Sequence, residues 1–193
     1  MADQKISAMP SASTLDGTEL VPLVQSGANV QSTVSDINAF TTNRISLISS
    51  TTQTAVANTA TIVTFDTTAF SQNISLVDSS KITFAVAGAY VLNFSFQMSN
   101  TDTQIHTADF WIRLNGTNYA LTNTKLDIPS SHGGSPGHIV ASWSIPGIAA
   151  VNDYVEIVWS TTSANVIVEY TGPDTSPTRP ATPSVIAAVW QVG

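Results

Sequence analysis

An all-β sandwich or jelly roll is the fold class this sequence predicts, on three observations. Ser and Thr together fill 50 of the 193 positions, and with Val, Ile and Asn they outnumber the Ala, Leu, Glu and Lys that favour helices. Short runs of β-branched and aromatic residues recur along most of the chain, separated by turn residues. Several runs alternate strictly. Tyr90, Leu92, Phe94, Phe96 and Met98 share one face of a run, and Phe110, Ile112 and Leu114 share one face of another, opposite Trp111 and Arg113. Nine short strands with no helical repeat between them fit two antiparallel layers.

In chain order, residues 1–50 read as an arm and residues 51–193 as the main domain. Residues 11–18 are turn-rich. Residues 19–25 and 29–34 read as short strands joined at Ser26-Gly27-Ala28, and Ser35 reads as the N-cap of one or two helical turns. The arm carries too few large apolar residues to fold alone. It is therefore expected to order against other proteins, with Leu20, Val21, Leu23, Val24, Ile37 and Phe40 as its anchor. Residues 46–60 read as a polar connector. The strands of the main domain are expected at 61–66, 73–77, 81–86, 89–99, 108–114, 137–145, 153–160, 165–170 and 184–192.

Two segments between these strands are rich in turn residues. Residues 121–138 contain His132, Gly134 and Pro136. Residues 171–183 hold Pro173, Pro177, Pro180 and Pro183 with Arg179, a proline spacing that predicts an extended, polyproline-like path. Loops of this length in a small domain commonly carry binding. His132, Gly134, Pro136, Pro173, Pro177, Arg179 and Pro180 are the candidate surface-binding residues.

Composition excludes several function classes. Charged residues make up 10% of the chain, against about 25% in an ordinary domain. Thirteen acidic side chains face six Lys plus Arg, for a formal charge of -7. No basic face is available for phosphate, so no nucleic-acid partner is expected. The absence of cysteine removes disulfides, thiolate zinc sites and Cys nucleophiles. No apolar run reaches the roughly 20 residues of a spanning helix, so no membrane insertion is expected. The first ten residues lack the apolar core of a signal peptide, which predicts synthesis in a cytoplasm.

The search for chemistry leaves little. His106, His132 and His138 lack the strand or helix spacing of metal ligands. Ser130, Ser131 and His132 with Asp109 or Asp127 can be written as a triad, but no nucleophile-elbow pattern accompanies them. Of the three glutamates, Glu156 and Glu169 are the pair that neighbouring strands would bring together for glycoside hydrolysis. No EF-hand spacing, phosphate-cradling loop or dinucleotide fingerprint is present. No cofactor, metal or enzymatic activity is expected. Trp111, Trp143, Trp159 and Trp190 all fall in expected strands, where they pack a core or line a subunit contact. The run at 184–192 is apolar on both faces, which predicts a core on one side and another subunit on the other. Tyr90, Phe94, Trp159, Val189 and Trp190 are the expected interface residues.

Residues 84–96, Phe-Ala-Val-Ala-Gly-Ala-Tyr-Val-Leu-Asn-Phe-Ser-Phe, are similar to the Phe, Gly-x-Tyr, Phe-x-aromatic signature of the C1q/TNF-like trimeric jelly rolls. Leu114-Asn115-Gly116 stands where that family has a short hairpin turn. Residues 152–157, Asn-Asp-Tyr-Val-Glu-Ile, resemble its Gly-Asp-x-Val segment, with Asn152 in place of Gly. Phe84 lies closer to Gly88 than in the animal signature, and no collagen-like repeat precedes the domain. The resemblance covers residues 52–193 and implies a homotrimeric jelly-roll head.

Residues 5–25 followed by 30–37 resemble a segment common at the start of bacteriophage fibre and other virion proteins, which implies attachment to a particle. Together the two resemblances imply a non-enzymatic bacteriophage structural protein. It would be a homotrimeric fibre or spike on the virion surface, anchored to capsid or tail proteins and displaying its head for adhesion to a host glycan or protein. The alternatives are a capsid decoration (cement) protein and, more remotely, a polysaccharide depolymerase acting through Glu156 and Glu169.

Overall fold

The structure is a computed structural model that describes residues 15–41 and 43–192. The chain divides into two units, residues 1–42 and 43–193. In the first, β1 (Leu20–Gln25) pairs antiparallel with β2 (Ala28–Thr33), and α1 (Val34–Thr41) follows. The joining turn places Ser26 and Gly27 at φ of 52° and 79°, the left-handed pair that a two-residue hairpin of matching twist requires. The helix is capped by Thr33, not by the expected Ser35. Thr33 Oγ1 accepts the Asp36 amide at 3.0 Å and the Asp36 carboxylate accepts the Thr33 amide at 3.3 Å, the reciprocal cap that satisfies two orphan donors of the first turn.

The second unit runs β3 (Arg44–Ser49), β4 (Gln53–Thr54), β5 (Thr61–Ile62), β6 (Thr67–Gln72), β7 (Ile74–Val77), β8 (Lys81–Phe84), β9 (Gly88–Asn100) and β10 (His106–Leu114). It continues with β11 (Thr117–Asn118), β12 (Thr124–Ile128), β13 (Gly137–Ala149), β14 (Tyr154–Thr161), β15 (Val166–Val168), β16 (Asp174–Thr175), β17 (Thr178–Arg179) and β18 (Val185–Gln191). One antiparallel sheet runs β13-β9-β18-β3-β6. Beside the far end of β9, β15 and then β4 replace β18. The second sheet is built on β10 and β14, with β11 and β12 on one side and β5, β8 and β7 on the other. The all-β sandwich read from the alternation is thus the observed fold class.

The core lies between the sheets, where alternation sends every second side chain. Tyr90, Leu92, Phe94, Phe96 and Met98 of β9 face Phe110 and Ile112 of β10 and Ile157 and Trp159 of β14, all buried. The aromatic rings make one cluster: Phe94–Trp143 at 4.5 Å, Phe96–Phe110 at 4.7 Å, and Phe110–Trp159 stacked at 6.4 Å between centroids. Asn115 and Gly116, at φ of 49° and 78°, make the expected tight turn from β10 to β11.

Four expectations are corrected. The boundary between units falls at 42/43 and not at 50, because 44–49 is a strand of the main sheet: Ile45 and Leu47 are buried in the core, and β3 pairs with both β18 and β6. The connector at 46–60 therefore contains the end of β3 and all of β4. The 121–138 segment contains β12, paired with β10 from Thr124 to Ile128. The 171–183 segment is not polyproline-like: Thr171 bridges Thr182, and β16 and β17 close a small antiparallel hairpin, because backbone partners are in reach across the segment.

Candidate functional site

The two outer faces of the sandwich differ in charge. The face of the second sheet carries Lys81, Asp109, Arg113, Lys125, Asp127 and Glu156. Asp109 accepts from Asn123 Nδ2, Asp127 from Thr107 Oγ1, and the Arg113 guanidinium and Trp111 indole both donate to Asn118 Oδ1. These bonds spread along a solvated surface.

The outer face of the first sheet reads differently in every cross-strand row. One row runs Pro146, Val91, Trp190, Arg44; the next runs Ser144, Asn93, Ala188, Ser46, Phe70; and the third runs Ser142, Ser95, Ile186, Ile48. Arg44, lying over the Phe70 ring at 5.5 Å, is the charged side chain in these rows. Phe70 is 51% exposed, Ile186 43% and Trp190 39%, so large apolar groups stand beside short neutral ones. Along one margin of the sheet β13 pairs with β9 over 13 residues, and among the described residues its other edge has no strand beside it. An open edge of that length, weakly charged and interrupted by Pro146, is a surface that natural proteins normally cover.

At the other end of this face, six residues along β9 from Val91 and so about 20 Å away at ~3.4 Å per residue, a polar groove opens. It has a volume of about 320 Å³ and is lined by Gln97, Met98, His138, Ile139, Val140, Glu169, Thr171 and Thr182. Strands position His138 and Gln97, and backbone hydrogen bonds position Glu169, Thr171 and Thr182. His138 is held by β13, Gln97 by β9, and Glu169 by its amide donating to Gln97 O at 2.7 Å. Thr171 and Thr182 exchange backbone hydrogen bonds of 3.0 and 2.8 Å. His138 Nδ1 lies 3.3 Å from Glu169 Oε2 across the groove. Ser99, in register with His138, is fully buried, and its Oγ has no partner among the described residues.

The structure redistributes the residues expected at functional positions. Tyr90, Phe94, Trp159 and Val189 are at most 4% exposed and point into the chain's own core, so they do not form a subunit surface. Their parity puts them there, since Tyr90, Phe94 and Val189 alternate with the outward Val91, Asn93 and Trp190. Trp190 does lie outward. Glu156 and Glu169 are not a facing pair, because Glu156 is on the outer face of the second sheet, buried and accepting from Ser80 Oγ at 3.2 Å, whereas Glu169 is beside the first sheet. His132, Gly134, Pro173, Pro177, Arg179 and Pro180 are exposed and Pro136 half-buried. Of the two turn-rich segments, the parts that converge are the base of the second, Thr171 and Thr182, and the end of the first, His138. No group of three His, Asp or Glu side chains able to hold a metal ion is found among the described residues. In the first unit Leu20, Leu23 and Val24 are exposed, Val21 and Ile37 half-buried, and the Phe40 side chain lies outside the described residues.

Gln97, Thr171, Thr182 and the outer face of β3 were not identified from sequence. Strict alternation along 90–98 marks Gln97 as outward, but its meeting with Glu169 depends on β9 changing partner from β18 to β15. No protein-family model matches the chain, and no curated protein matches its sequence.

Proposed function

We propose that this chain is a non-enzymatic, homotrimeric fibre or spike of a bacteriophage virion, with residues 43–193 as a C1q/TNF-like jelly-roll head and the N-terminal segment as its attachment to the particle. One observation carries the reading: the two faces of the sandwich differ in charge, and the one poorer in charge presents Trp190, Ile186 and Phe70 along a strand order that ends on an open 13-residue edge. Covering neutral side chains costs less desolvation than covering charges, so this is the face a sister subunit seals. The exposed apolar residues of β1 fit the same logic for the particle. A two-stranded hairpin is marginal in water on its own, and Leu20, Leu23 and Val24 supply apolar area for a partner protein.

Head and attachment segment together describe a displayed domain, and threefold repetition multiplies weak contacts with a cell surface. Mass measurement under native conditions tests the assembly: the expected species is three times the 20.3 kDa chain. Antibody against the head, imaged on particles, tests the location. Few copies at the tail support the fibre reading, and many copies over the capsid support the decoration alternative.

A further inference from the structure

We propose that the groove between β13 and the ribbon at 169–182 is a binding site for a single neutral saccharide ring. This rests on the reading of the head as a surface adhesin and names the ligand class of that adhesin. The volume of about 320 Å³ lies at the low end of small-ligand sites, which span roughly 300–1,000 Å³. It suits one sugar ring.

The lining sets the chemistry. Gln97 offers both donor and acceptor, Glu169 offers two acceptor oxygens, His138 one ring nitrogen of each kind when neutral, and Thr171 and Thr182 a hydroxyl each. A carboxylate accepts a pair of adjacent hydroxyl donors, one per oxygen, in charge-assisted bonds stronger than neutral ones. The same carboxylate disfavours anions. A divalent cation would find a single carboxylate to offset its charge, and no group of three His, Asp or Glu able to hold a metal is found among the described residues. A neutral molecule dense in hydroxyls remains, and Val140, which is exposed and in register with Gln97, supplies an apolar contact for its C–H face.

The groups are also held in place. Glu169 is tied to Gln97 through its amide at 2.7 Å, His138 stands 3.3 Å from the Glu169 carboxylate, and the Thr171–Thr182 bridge closes the third side. Gln97 and His138 sit on strands, which hold their geometry better than loop tips do. Gln97 lies six residues along β9 from Val91 and two from Ser95 of the Ile186 row, so the groove sits beyond the last of the apolar rows.

The test is titration of the full chain with free glucose, galactose, mannose, rhamnose and N-acetylglucosamine at millimolar concentrations, read by amide NMR at Gln97, His138 and Glu169. At least one sugar is expected to shift these signals in a saturable way, and Glu169→Gln and Gln97→Ala are each expected to weaken it by tenfold or more with the rest of the spectrum unchanged. Five silent titrations, or binding that survives both substitutions, would overturn the site. Native mass and blocking of particle adsorption by antibody against the head are measured on the same preparations. Trimeric mass and blocked adsorption beside a silent groove reject the groove alone, whereas a monomer that does not mediate adsorption rejects the adhesin reading itself.

Discussion

Gly137 shows why some residues have no substitute here. A Cβ at this position would sit 2.7 Å from Ser130 O and collide with the Pro129 carbonyl as well, and backbone atoms yield less readily than the end of a side chain. Gly137→Ala is expected to cost about 1–3 kcal/mol through forced displacement, read as a fall of several degrees in Tm. Trp159 is fully buried, and Trp159→Ala is expected to cost about 3–5 kcal/mol in thermal or denaturant unfolding. Acid sensitivity belongs to the same scale. The hydrogen bond from His106 Nε2, with a further one from Asn165, holds the Asp102 carboxyl below its ordinary range, and Asn115 Nδ2 with the Ala150 amide does the same for Asp153. Groups with lowered folded pKa add stability that is complete above the unfolded value and is lost as pH falls through the folded one. Tm is therefore expected to drop as pH falls below about 4, and Asp102→Asn or Asp153→Asn flattens that drop. The Asn115–Asp153 bond is not readable in sequence, because the two residues, 38 apart, meet through the pairing of β10 with β14 and not through spacing.

Among the elements, those whose alternation is strong were legible and those diluted by Ser and Thr were not. Five apolar residues at every second position place β9 without ambiguity, and β10 and β14 follow the same rule. β3 carries the same signal in Ile45 and Leu47, but the Ser-Thr tract directly after it reads as linker, and its role became visible only through pairing with β18 and β6. The hairpin of β16 and β17 was masked by proline, which lacks a donor yet leaves the Asp174–Arg179 pair intact. The helix cap was misplaced by two residues because Thr33 and Ser35 are both competent caps, and Asp36 three residues after Thr33 decides between them. Thr33→Ala is expected to cost about 0.5–2 kcal/mol of helix stability, read as faster amide exchange at residues 36–41 with the main domain unaffected.

At the scale of the whole molecule, the low charge content takes on a direction. Charge is placed on the outer face of the second sheet, and the first sheet keeps Arg44 toward one end and His138 with Glu169 at the other. Composition alone shows the shortage of charge, but which face lacks it depends on strand order, since Trp190 and Ile186 share a strand with the buried Val185 and Val189. The groove is likewise a product of topology: His138 and Glu169 are brought together by β13 and β15 flanking the same end of β9. Assembly and ligand binding are expected to separate, with substitutions at Trp190 acting on the first and at Glu169 on the second.

The most direct measurement is native mass at micromolar concentration for the unaltered chain and for the double substitution Trp190→Glu with Ile186→Asp. Both side chains face outward, so the variant is expected to fold. Three times 20.3 kDa is expected for the first and the single-chain mass for the second. A single-chain mass for the unaltered protein, or a trimer that persists with two carboxylates on that face, would contradict assembly through it.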